Sequence, residues 1–593
     1  MNTDTSAAMP PRNRHWLASL AVLSVALGLA ACQPATDGEA DKSTDPLALA
    51  KAIDVDRIRA HMTFLSADPM RGREANTEQY DIAANYTAAQ FELMGLEPAG
   101  TEGYMQPVTF RQTLIKPETA AMKLTQAGET RELEFGKDYV VYGSSAHVSG
   151  VAEAPLVFVG LGISAPELGH DDYAGVDVDG KIVVIMSGRP DGMPGSESAH
   201  LGSRSVKIQT AADKGAIGIL YVAHPETVEL YDIEAFARWA QRPSTTWLAP
   251  DGSAPTSHPS IQVRGVVAPE ISRALLGVSD DEAFNALGAA LKASENASRE
   301  LDARLYMAVD SERSEFVSNN VVAMLPGSDP ELADEYVIYS GHLDGQGVYD
   351  KAPEPEEGEE VSAEDSDKPA DLIKNSAFDN ALGVSMILEL ARTMTLLDEA
   401  PRRSMMFLFI TAEEMGLLGS EHFAAYPTVP KDDIVANVNI DMPILTFEQK
   451  DVVLFGAENS SLGPLATAQA ERIGYIVSPD PAPEERFFVR SDQYSFVREG
   501  VPALSIDPGR MAADPNVDGD ALTDDFLLNH YHQASDSTEL PFARKTAARF
   551  AGMNFLIGLA IANADERPTW NAGDFFGRTF GPDRMASGDT ESQ

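Results

Sequence analysis

The chain has 593 residues, of which 44% are hydrophobic, and this length and apolar content predict a globular protein of two domains and a tail. Its 91 acidic and 45 basic residues leave a net charge of −46. That charge argues against binding to nucleic acid, which depends on Lys and Arg meeting phosphate, and we interpret it as a solvated acidic surface.

The N-terminal segment has the pattern of a secretory signal that ends at a cysteine. A short basic region precedes residues 16–29, which are apolar but too few to span a bilayer comfortably, and Leu-Ala-Ala-Cys32 closes the segment. That ending resembles the lipobox of bacterial lipoproteins, in which the cysteine is lipidated and begins the mature protein. We expect a signal peptide at 1–31, a lipid anchor on Cys32 and a polar tether at 32–45. Gln33, the residue after the cysteine, resembles the sorting pattern of outer-membrane lipoproteins, so we expect the protein at the outer membrane, facing the periplasm or the exterior. The alternative is an ordinary signal peptide with an incidental cysteine.

Two packing helices are expected next, because apolar residues recur at helical spacing over residues 53–65 and 80–94. Between them, the sequence Arg71-Gly-Arg-Glu74 is typical of a turn. Its arginines could pair with carboxylates, but a solvated loop is the commoner explanation.

Residues 135–301 have a different sequence pattern, with short runs typical of β-strands at 156–159, 181–185 and 217–222 that are separated by turn signals. The segments DDYAGVDVDGKIVVI and AADKGAIGILYV resemble the protease-associated domain. We find no cluster of His, Asp and Glu with catalytic spacing there. A lid or substrate-access role is therefore preferred, and a purely structural insert is the alternative.

Three apolar runs in the C-terminal half have the length and composition of buried parallel strands, and each is followed by polar residues. They end near Ser340, Ile410 and Ile440. The residues that follow are His342, the pair Glu413 and Glu414, and Asp441. Because functional groups gather beyond the carboxyl ends of parallel strands, we expect these side chains at one edge of the sheet.

Two further residues are expected near that edge, Asp379 before an apolar helix and His532 in a loop after the run 501–506. Two histidines and three carboxylates suit zinc, and five ligands exceed the four of a closed structural site. Two metal ions sharing one carboxylate would use all five and leave a position for water. Asp344, two residues after His342, could hold that imidazole in the right tautomer.

Each of these residues, taken alone, could have a structural role that involves no metal. Thr411-Ala-Glu-Glu414 is also a good capping box, and Asp379 could be an N-cap. His342 and His532 could be hydrogen-bonded loop histidines, and Asp441 a turn residue. The five together are harder to dismiss.

The motifs resemble those of metallopeptidase family twenty-eight, the two-zinc aminopeptidases, in the same order. The motifs are His342-Leu-Asp344, Asn375-Ser-Ala-Phe-Asp-Asn380, Thr411-Ala-Glu-Glu414, Asn439-Ile-Asp441, Ser491-Asp492 and Tyr531-His532. The resemblance implies an α/β fold with a central mixed, mostly parallel sheet flanked by helices, the zinc exopeptidase fold. The peptidase domain would span 46–134 and 302–565, with a β-rich protease-associated domain inserted at 135–301 and a loose tail at 566–593.

The resemblance also implies a role for each matched residue. His342 and Asp441 would bind one zinc, and Glu414 and His532 the other. Asp379 would bridge the two ions, and the peptide bond from Asp379 to Asn380 would be cis. Glu413 would be the general base. Tyr531 matches a position whose hydroxyl can stabilise the oxyanion, although a packing tyrosine is nearly as common.

The resemblance implies an enzyme that hydrolyses N-terminal residues of peptides with two Zn²⁺ ions per chain. A dipeptidase, a carboxypeptidase or an aminoacyl cyclase of the same fold is an alternative. So is a catalytically silent binding protein, which would have lost ligands, whereas none is missing here. The protein would associate with the membrane only through its lipid anchor.

We interpret the acidic segment 350–371 as a solvated loop, with calcium binding as a minor alternative.

Overall fold

The computed structural model describes residues 44–193, 195–278, 280–349 and 371–582. Cys32 and the apolar segment before it lie outside these ranges, as do nearly all of the acidic segment 350–371 and the last residues of the chain. The predictions of a signal peptide, a tether and a lipid anchor therefore stay predictions.

Most of the longer helices lie in the first and last parts of the described chain. The α-helices are α1 Pro46–Lys51, α2 Val55–Leu65, α3 Glu78–Met94, α4 Gly195–Gly202, α5 Arg204–Asp213, α6 Ile233–Ala240, α7 Pro269–Leu276, α8 Asp281–Lys292, α9 Gly383–Met394, α10 Leu418–Ala425, α11 Leu462–Arg472, α12 Gln493–Arg498, α13 Gly519–Asn529, α14 Arg544–Ala562 and α15 Phe575–Phe580. The two helices predicted from the N-terminal periodicity are confirmed as α2 and α3. Within the described ranges, no helix has both the length and the apolarity needed to cross a bilayer.

The strands fall into a group in the middle of the chain and a group in its C-terminal half, joined by the long strand β13. They are β1 Glu97–Pro98, β2 Met105–Ile115, β3 Ala121–Gln126, β4 Glu129–Glu132, β5 Tyr139–Tyr142, β6 Ser149–Phe158, β7 Ser164–Ala165, β8 His170–Asp171, β9 Ile182–Met186, β10 Gly218–Val222, β11 Ser244–Trp247, β12 Val263–Val267, β13 Arg299–Leu325, β14 Tyr336–His342, β15 Ser404–Ile410, β16 Ile434–Asn439, β17 Asp451–Phe455, β18 Ile476–Ser478 and β19 Ala503–Pro508.

The centre of the fold is a mixed sheet built around β14. That strand pairs in parallel with β15 on one side and β16 on the other, and β19 extends the sheet in parallel beyond β16. Antiparallel β13 and β17 flank this parallel set. The predicted fold class, a mixed and mostly parallel sheet flanked by helices, is confirmed.

Every residue of β15 is buried, as its unbroken apolar sequence predicts for a central strand covered on both faces. Helix α9 packs against α2 and α14, and its residues are almost all buried as well. The strand that leads to Glu413 and Glu414 and the helix that follows Asp379 are therefore both firmly packed.

The middle of the chain forms a second group of strands that is continuous with the central sheet. The strands predicted at 156–159, 181–185 and 217–222 are confirmed as the end of β6, β9 and β10, and β9 pairs in parallel with both of the others. Strand β13 pairs with β3 and β6 in its first half and with β2 and β15 in its second half. The domain boundary predicted after residue 301 thus falls inside one continuous strand.

The end of the described chain is not loose, and the expectation of a tail without structure is wrong up to residue 582. Residues 575–580 form α15, and the side chains of Phe575 and Phe576 are buried against the aromatic groups of His200 and Phe488. Aromatic residues spaced to face one side of a short helix were the available signal, and burial of that face fixes the segment.

Candidate metal centre

The candidate ligands lie at the carboxyl ends of neighbouring strands. His342 is the last residue of β14, Glu413 and Glu414 follow the end of β15, and Asp441 follows the end of β16. The registers pair His342 with Ile410 and Ser340 with Asn439, so the three strands end level with one another. The expectation that these side chains meet at one edge of the sheet is confirmed.

Asp379 enters the same edge from an irregular helical turn, Ala377–Leu382, that precedes α9. The peptide bond from Asp379 to Asn380 is cis, as the family resemblance implies. The Asp536 carboxylate accepts hydrogen bonds from the backbone N–H groups of Phe378 (2.9 Å) and Asp379 (3.1 Å). This contact anchors the turn to the loop that follows His532.

The five predicted ligands meet in one cluster, with Asp379 at its centre. His342 Nε2 lies 3.0 Å from Asp379 Oδ1 and 3.0 Å from Asp441 Oδ1. His532 Nε2 lies 3.2 Å from Asp379 Oδ2 and 3.2 Å from Glu414 Oε2. The two oxygens of one carboxylate thus face two imidazoles, and each imidazole has a second carboxylate beside it.

This cluster fits metal ions by the chemistry of its donor atoms. Ligand atoms of His342, Asp379 and Glu414 all lie within 4.8 Å of one another, and Glu414 Oε1 is buried with no hydrogen-bond partner among the residues that the structure describes. Imidazole nitrogen and carboxylate oxygen are ligands that zinc accepts. His342 and Asp441 could hold one ion, His532 and Glu414 another, and Asp379 could serve both.

The carboxylates of the cluster raise the pKa of both imidazoles. Burial alone would lower the pKa of His342, but the carboxylates of Asp441 and Glu413 outweigh it and raise that pKa well above its ordinary value. Burial opposes the same change at His532, where Asp379 and Glu414 raise the pKa to about 9. The carboxylates thus favour positive charge at the positions of both imidazoles.

Glu413 faces the same cleft as the ligands but makes no ion pair within the described residues. Burial raises its pKa well above the ordinary value, and Asp441 and Glu414 add to the effect by repulsion. A carboxylate that is desolvated and lies beside a ligand, without being one, has the properties that proton transfer requires.

The predicted contact between the Asp344 carboxylate and the His342 ring is replaced by a different one. Asp344 Oδ1 is 3.9 Å from His342 Nδ1, too far for a hydrogen bond, whereas Nδ1 lies 3.1 Å from the backbone carbonyl oxygen of Asp344. A carbonyl can only accept, so Nδ1 carries the proton and Nε2 is left to face the cluster. The carboxylate itself accepts from the backbone N–H groups of Glu413 (3.1 Å) and Glu414 (3.3 Å).

Tyr531 lies on the wall of the cleft, beside the cluster. Its ring stacks on the His532 ring with a centroid separation of 3.7 Å and an interplanar angle of 30°. Burial raises the pKa of Tyr531 well above its ordinary value, and the nearby carboxylates add to it, so the hydroxyl keeps its proton. The stacking restrains His532; contact of the hydroxyl with an oxyanion stays a prediction.

The cluster opens into a cleft of about 550 Å³. Its lining residues come from the loops after β16 and β19, from the segment before α12, and from α13: Asp379, Glu413, Asp441, Met442, Pro481, Ala482, Glu485, Phe487, Arg490, Ser491, Ser505, Asp507, Arg510, Asp524, Leu527, Leu528, Tyr531 and His532. A cavity of this size is typical of sites for small molecules and peptide ends.

Several residues that support the ligands were not predicted from the sequence. Ser491 Oγ donates a hydrogen bond of 2.5 Å to Asp441 Oδ2, and Gln346 Nε2 donates to Glu414 Oε2. Arg73, expected in a solvated loop, is fully buried. Ser491 belongs to a quoted motif, but no local pattern distinguished Gln346 or Arg73 from ordinary loop residues.

Comparison with known families places this cluster inside a recognised region. A family model described as Peptidase family M28 matches residues 320–555. A probable leucine aminopeptidase 2 of Aspergillus oryzae is 27% identical over 202 residues, which is 33% of this chain and 34% of that protein. A second fungal relative with the same name, from Aspergillus fumigatus, is 25% identical over 211 residues. The match thus spans about a third of the length of these relatives.

Solved structures with similar folds include an aminopeptidase from Aneurinibacillus sp. strain AM-1, which is 19% identical and covers 88% of this chain and 97% of its own, with a TM-score of 0.47. A zinc aminopeptidase from Bacillus subtilis is 15% identical and covers 85% and 94%, with a TM-score of 0.38. The region at residues 320–555, which the family model matches as Peptidase family M28, contains all five candidate ligands.

Proposed function

We propose that this protein is a zinc-dependent aminopeptidase that hydrolyses N-terminal residues of peptides in the cleft beside Asp379. The observation that carries the proposal is the placement of the Asp379 carboxylate between His342 Nε2 (3.0 Å) and His532 Nε2 (3.2 Å). Asp441 and Glu414 complete a nitrogen and oxygen donor set on each side. Two such sets around one carboxylate suit a pair of zinc ions.

Zinc in such a pair lowers the pKa of water and polarises a substrate carbonyl. The chain's own residues supply the proton movements and the orientation. Glu413 takes the proton of the attacking water at its carboxylate and passes it to the leaving amine. Tyr531, restrained by its stacking on His532, offers a hydroxyl that can donate to the oxygen on which negative charge develops. Hydrogen bonds from Ser491 and Gln346 keep Asp441 and Glu414 in place.

Similarity supports the assignment of a peptide-hydrolysing activity. The matched region of Peptidase family M28 covers every ligand and the proposed base, and both fungal relatives carry the name of a leucine aminopeptidase. Because the alignment covers only about a third of those relatives, we treat the whole-protein activity as a proposal. The number of two zinc ions per chain is part of the same proposal.

We further propose that the protein acts at the cell envelope, anchored by lipid on Cys32, and that residues 135–301 are a protease-associated domain that controls access to the cleft. The lipobox-like ending Leu-Ala-Ala-Cys32 supports the anchor. Helix α4 of the inserted region packs on the segments 483–485 and 487–489, whose neighbours line the cleft. That contact supports a role in shaping substrate entry.

The first test is metal content and hydrolysis of aminoacyl-nitroanilides by the wild type and by Glu413→Gln. We expect about two zinc ions per chain in both proteins and a kcat about 10²–10⁴-fold lower in the variant, because Glu413 transfers protons without being a ligand. Glu485→Gln removes a charge from the wall of the same cleft and should leave kcat within about twofold. Equal hydrolysis by Glu413→Gln and the wild type would contradict the assigned base.

A second test separates an aminopeptidase from other exopeptidases. We expect cleavage of a free tripeptide amide and no cleavage of the same peptide with an acetylated N-terminus. Cleavage that depends instead on a free C-terminal carboxylate would assign a carboxypeptidase. Binding of zinc without hydrolysis of any of these peptides would favour a silent binding protein.

A further inference from the structure

One carboxylate in the cleft, Asp507, is used neither as a proposed ligand nor as the base. It lies near the end of β19, which pairs in parallel with β16 through Asn439 and Ser505. Asp441 and Asp507 are each two residues beyond that pair, so the two carboxylates lie next to each other at the ends of adjacent strands, and both line the cleft.

Among the described residues, the Asp507 carboxylate has no counter-ion. In the ranges that the structure describes, no Lys, Arg or His nitrogen lies within ion-pair distance of this carboxylate. Ser505 Oγ donates a long hydrogen bond of 3.5 Å to Asp507 Oδ1. The Asp507 side chain is half-buried in the wall of the cleft. A partly desolvated carboxylate of this kind favours contact with a cation.

The cations on the same wall already have partners. Arg510 lies 2.8 Å from Asp524 and 3.8 Å from Asp520, and Arg490 lies 3.3 Å from Glu485. The acidic groups near these arginines are therefore paired, in contrast to Asp507.

An apolar recess of about 40 Å³ is lined in part by Asp507 and shares several lining residues with the main cleft. Its apolar lining side chains include Met442, Ile444, Val453, Phe455, Phe487 and Leu527. Asp507 and Met442 line both cavities, so the carboxylate stands where the recess meets the cleft. The recess suits a small apolar side chain.

We propose that Asp507 binds the α-ammonium group of the substrate, while the first side chain of the peptide enters the apolar recess. The proposal rests on the proposed function and names the part of the cleft that recognises the free N-terminus. An ammonium group offers three donors and a positive charge, which compensate a desolvated carboxylate beside the reacting centre. A basic side chain is a poorer occupant, because the recess is apolar and Arg510 stands at its rim.

The test compares ligands rather than turnover, so it also works if the protein hydrolyses no peptide. Leucinamide and 4-methylpentanamide differ only by the α-ammonium group. Their affinities are measured by calorimetry for the zinc-loaded Glu413→Gln protein, in which turnover is suppressed, with and without Asp507→Asn. We expect Asp507→Asn to weaken leucinamide by roughly 10–100-fold and to leave 4-methylpentanamide unchanged.

Asp524→Asn is the matched control, because it makes the same change of charge on the same wall at a paired carboxylate. It should leave the ratio of the two affinities unchanged. Zinc content of Asp507→Asn should equal that of the wild type. Loss of zinc, equal weakening of both ligands, or an unchanged affinity for leucinamide would overturn the proposal.

A third ligand, 6-aminohexanamide, distinguishes the two sources of an ammonium group. It carries an ammonium at the end of a chain and none at the α position. Selective weakening of this ligand in Asp507→Asn, with leucinamide unaffected, would assign Asp507 to a basic side chain and overturn the proposal. If the ligand tests succeed and peptides are not cleaved, the proposed function fails while the role of Asp507 stands.

Discussion

Arg73 shows at the scale of one residue how the ligand loops are held together. Its guanidinium donates to the backbone carbonyls of Leu65 (2.6 Å), Leu343 (3.0 Å), Asn375 (3.0 Å) and Ser376 (2.9 Å). These carbonyls belong to α2, to the residue after His342 and to the segment before Asp379. One buried side chain therefore links the loops of two candidate ligands.

Arg73→Lys should destabilise the protein, because lysine cannot reach all four carbonyls. Leaving buried acceptors unpaired predicts a loss of about 2–4 kcal/mol in the free energy of unfolding, measured by urea denaturation of the zinc-loaded protein. Arg71→Lys, an exposed arginine in the same turn, is the control and should change that free energy by less than about 0.5 kcal/mol. Equal stability of the two variants would show that the carbonyl contacts contribute little.

Asp344 orients the loop that carries Glu413 and Glu414 through two backbone hydrogen bonds. In Asp344→Asn, one N–H would face an amide NH₂ group, so we expect the loop to shift and kcat/KM for aminoacyl-nitroanilides to fall about 10–100-fold. Asp54→Asn is a matched control, since the Asp54 carboxylate also accepts from two backbone N–H groups, but at the start of α2 on the surface. Activity of that control should be unchanged; a comparable fall in both variants would argue against a specific role for Asp344.

At the scale of elements, the start of α9 fixes the turn that carries Asp379. A Cβ added at Gly383 would lie 2.1 Å from Asn380 Oδ1 and 2.6 Å from the Ile440 carbonyl oxygen. Asn380 Oδ1 accepts from the backbone N–H groups of Gly383 and Met442, so it cannot move without breaking a link between this turn and the loop after β16. The helix thus begins with glycine for reasons of space.

Gly383→Ala should therefore displace Asn380 and with it the bridging carboxylate. Overpacking predicts a loss of about 1–3 kcal/mol in the free energy of unfolding, and we expect zinc content and kcat to fall together. Gly202→Ala in α4 is the control, because the nearest atom to its added Cβ is Arg189 Cβ at 3.5 Å, an ordinary contact. Full zinc content and activity in Gly383→Ala would show that the turn adapts without cost.

At the scale of the whole molecule, a buried histidine connects the inserted region to the end of the chain. His200 lies against Phe575 and Phe580 of α15 and hydrogen-bonds to the Tyr494 hydroxyl. Burial lowers the pKa of His200 to about 4, and burial does the same to His422, also to about 4. Both imidazoles are neutral in the folded protein at pH values where the unfolded chain begins to bind protons.

The stability of the protein should therefore fall as the pH falls from about 6.5 toward 4, the interval between the unfolded and folded pKa values. Above that interval neither state binds the proton, so pH has no effect through this group. Near pH 5, His200 alone should lower the free energy of unfolding by about 2 kcal/mol relative to pH 7.5. Urea denaturation of the metal-free protein at the two pH values, with and without His200→Gln, measures this contribution.

The contrast between wild type and His200→Gln should shrink as the pH falls, because only the wild type has this protonation linkage. Working without metal removes the loss of zinc at low pH as a cause. A difference between the two proteins that is the same at both pH values would contradict the prediction.

Much of the fold and the site follows from local sequence. Short apolar runs of β-branched and aromatic residues predict β14, β15 and β16, and the polar residues after them predict the shared edge. His342, Glu414 and Asp441 could be found this way because each comes within a few residues of a strand end. Asp379 and His532 do not directly follow a strand end, so the ordered motifs indicate them more strongly than their position in the sequence does.

Other residues could not be found from local sequence, because their roles depend on contacts between distant segments. Arg73 and Asn375 are far apart in the chain, and the turn around Arg73 has the composition of a surface loop. Asp507 resembles any strand-end aspartate until β19 is placed beside β16. The aromatic spacing of α15 is a local signal, but only the structure shows that His200 and Phe488 cover those aromatic rings.

The sequence by itself determined which apolar runs form the central parallel strands and which residues at their ends could bind metal. The local hydrophobic pattern predicts the strands, and the chemistry of the side chains at their ends predicts the metal ligands. Only the tertiary structure decided that Asp344 orients His342 through its carbonyl, that Arg73 is buried, and that Asp507 lines the same cleft as Asp441. The reason is that burial and hydrogen-bond partners depend on which distant segments meet, and a local pattern does not carry that information.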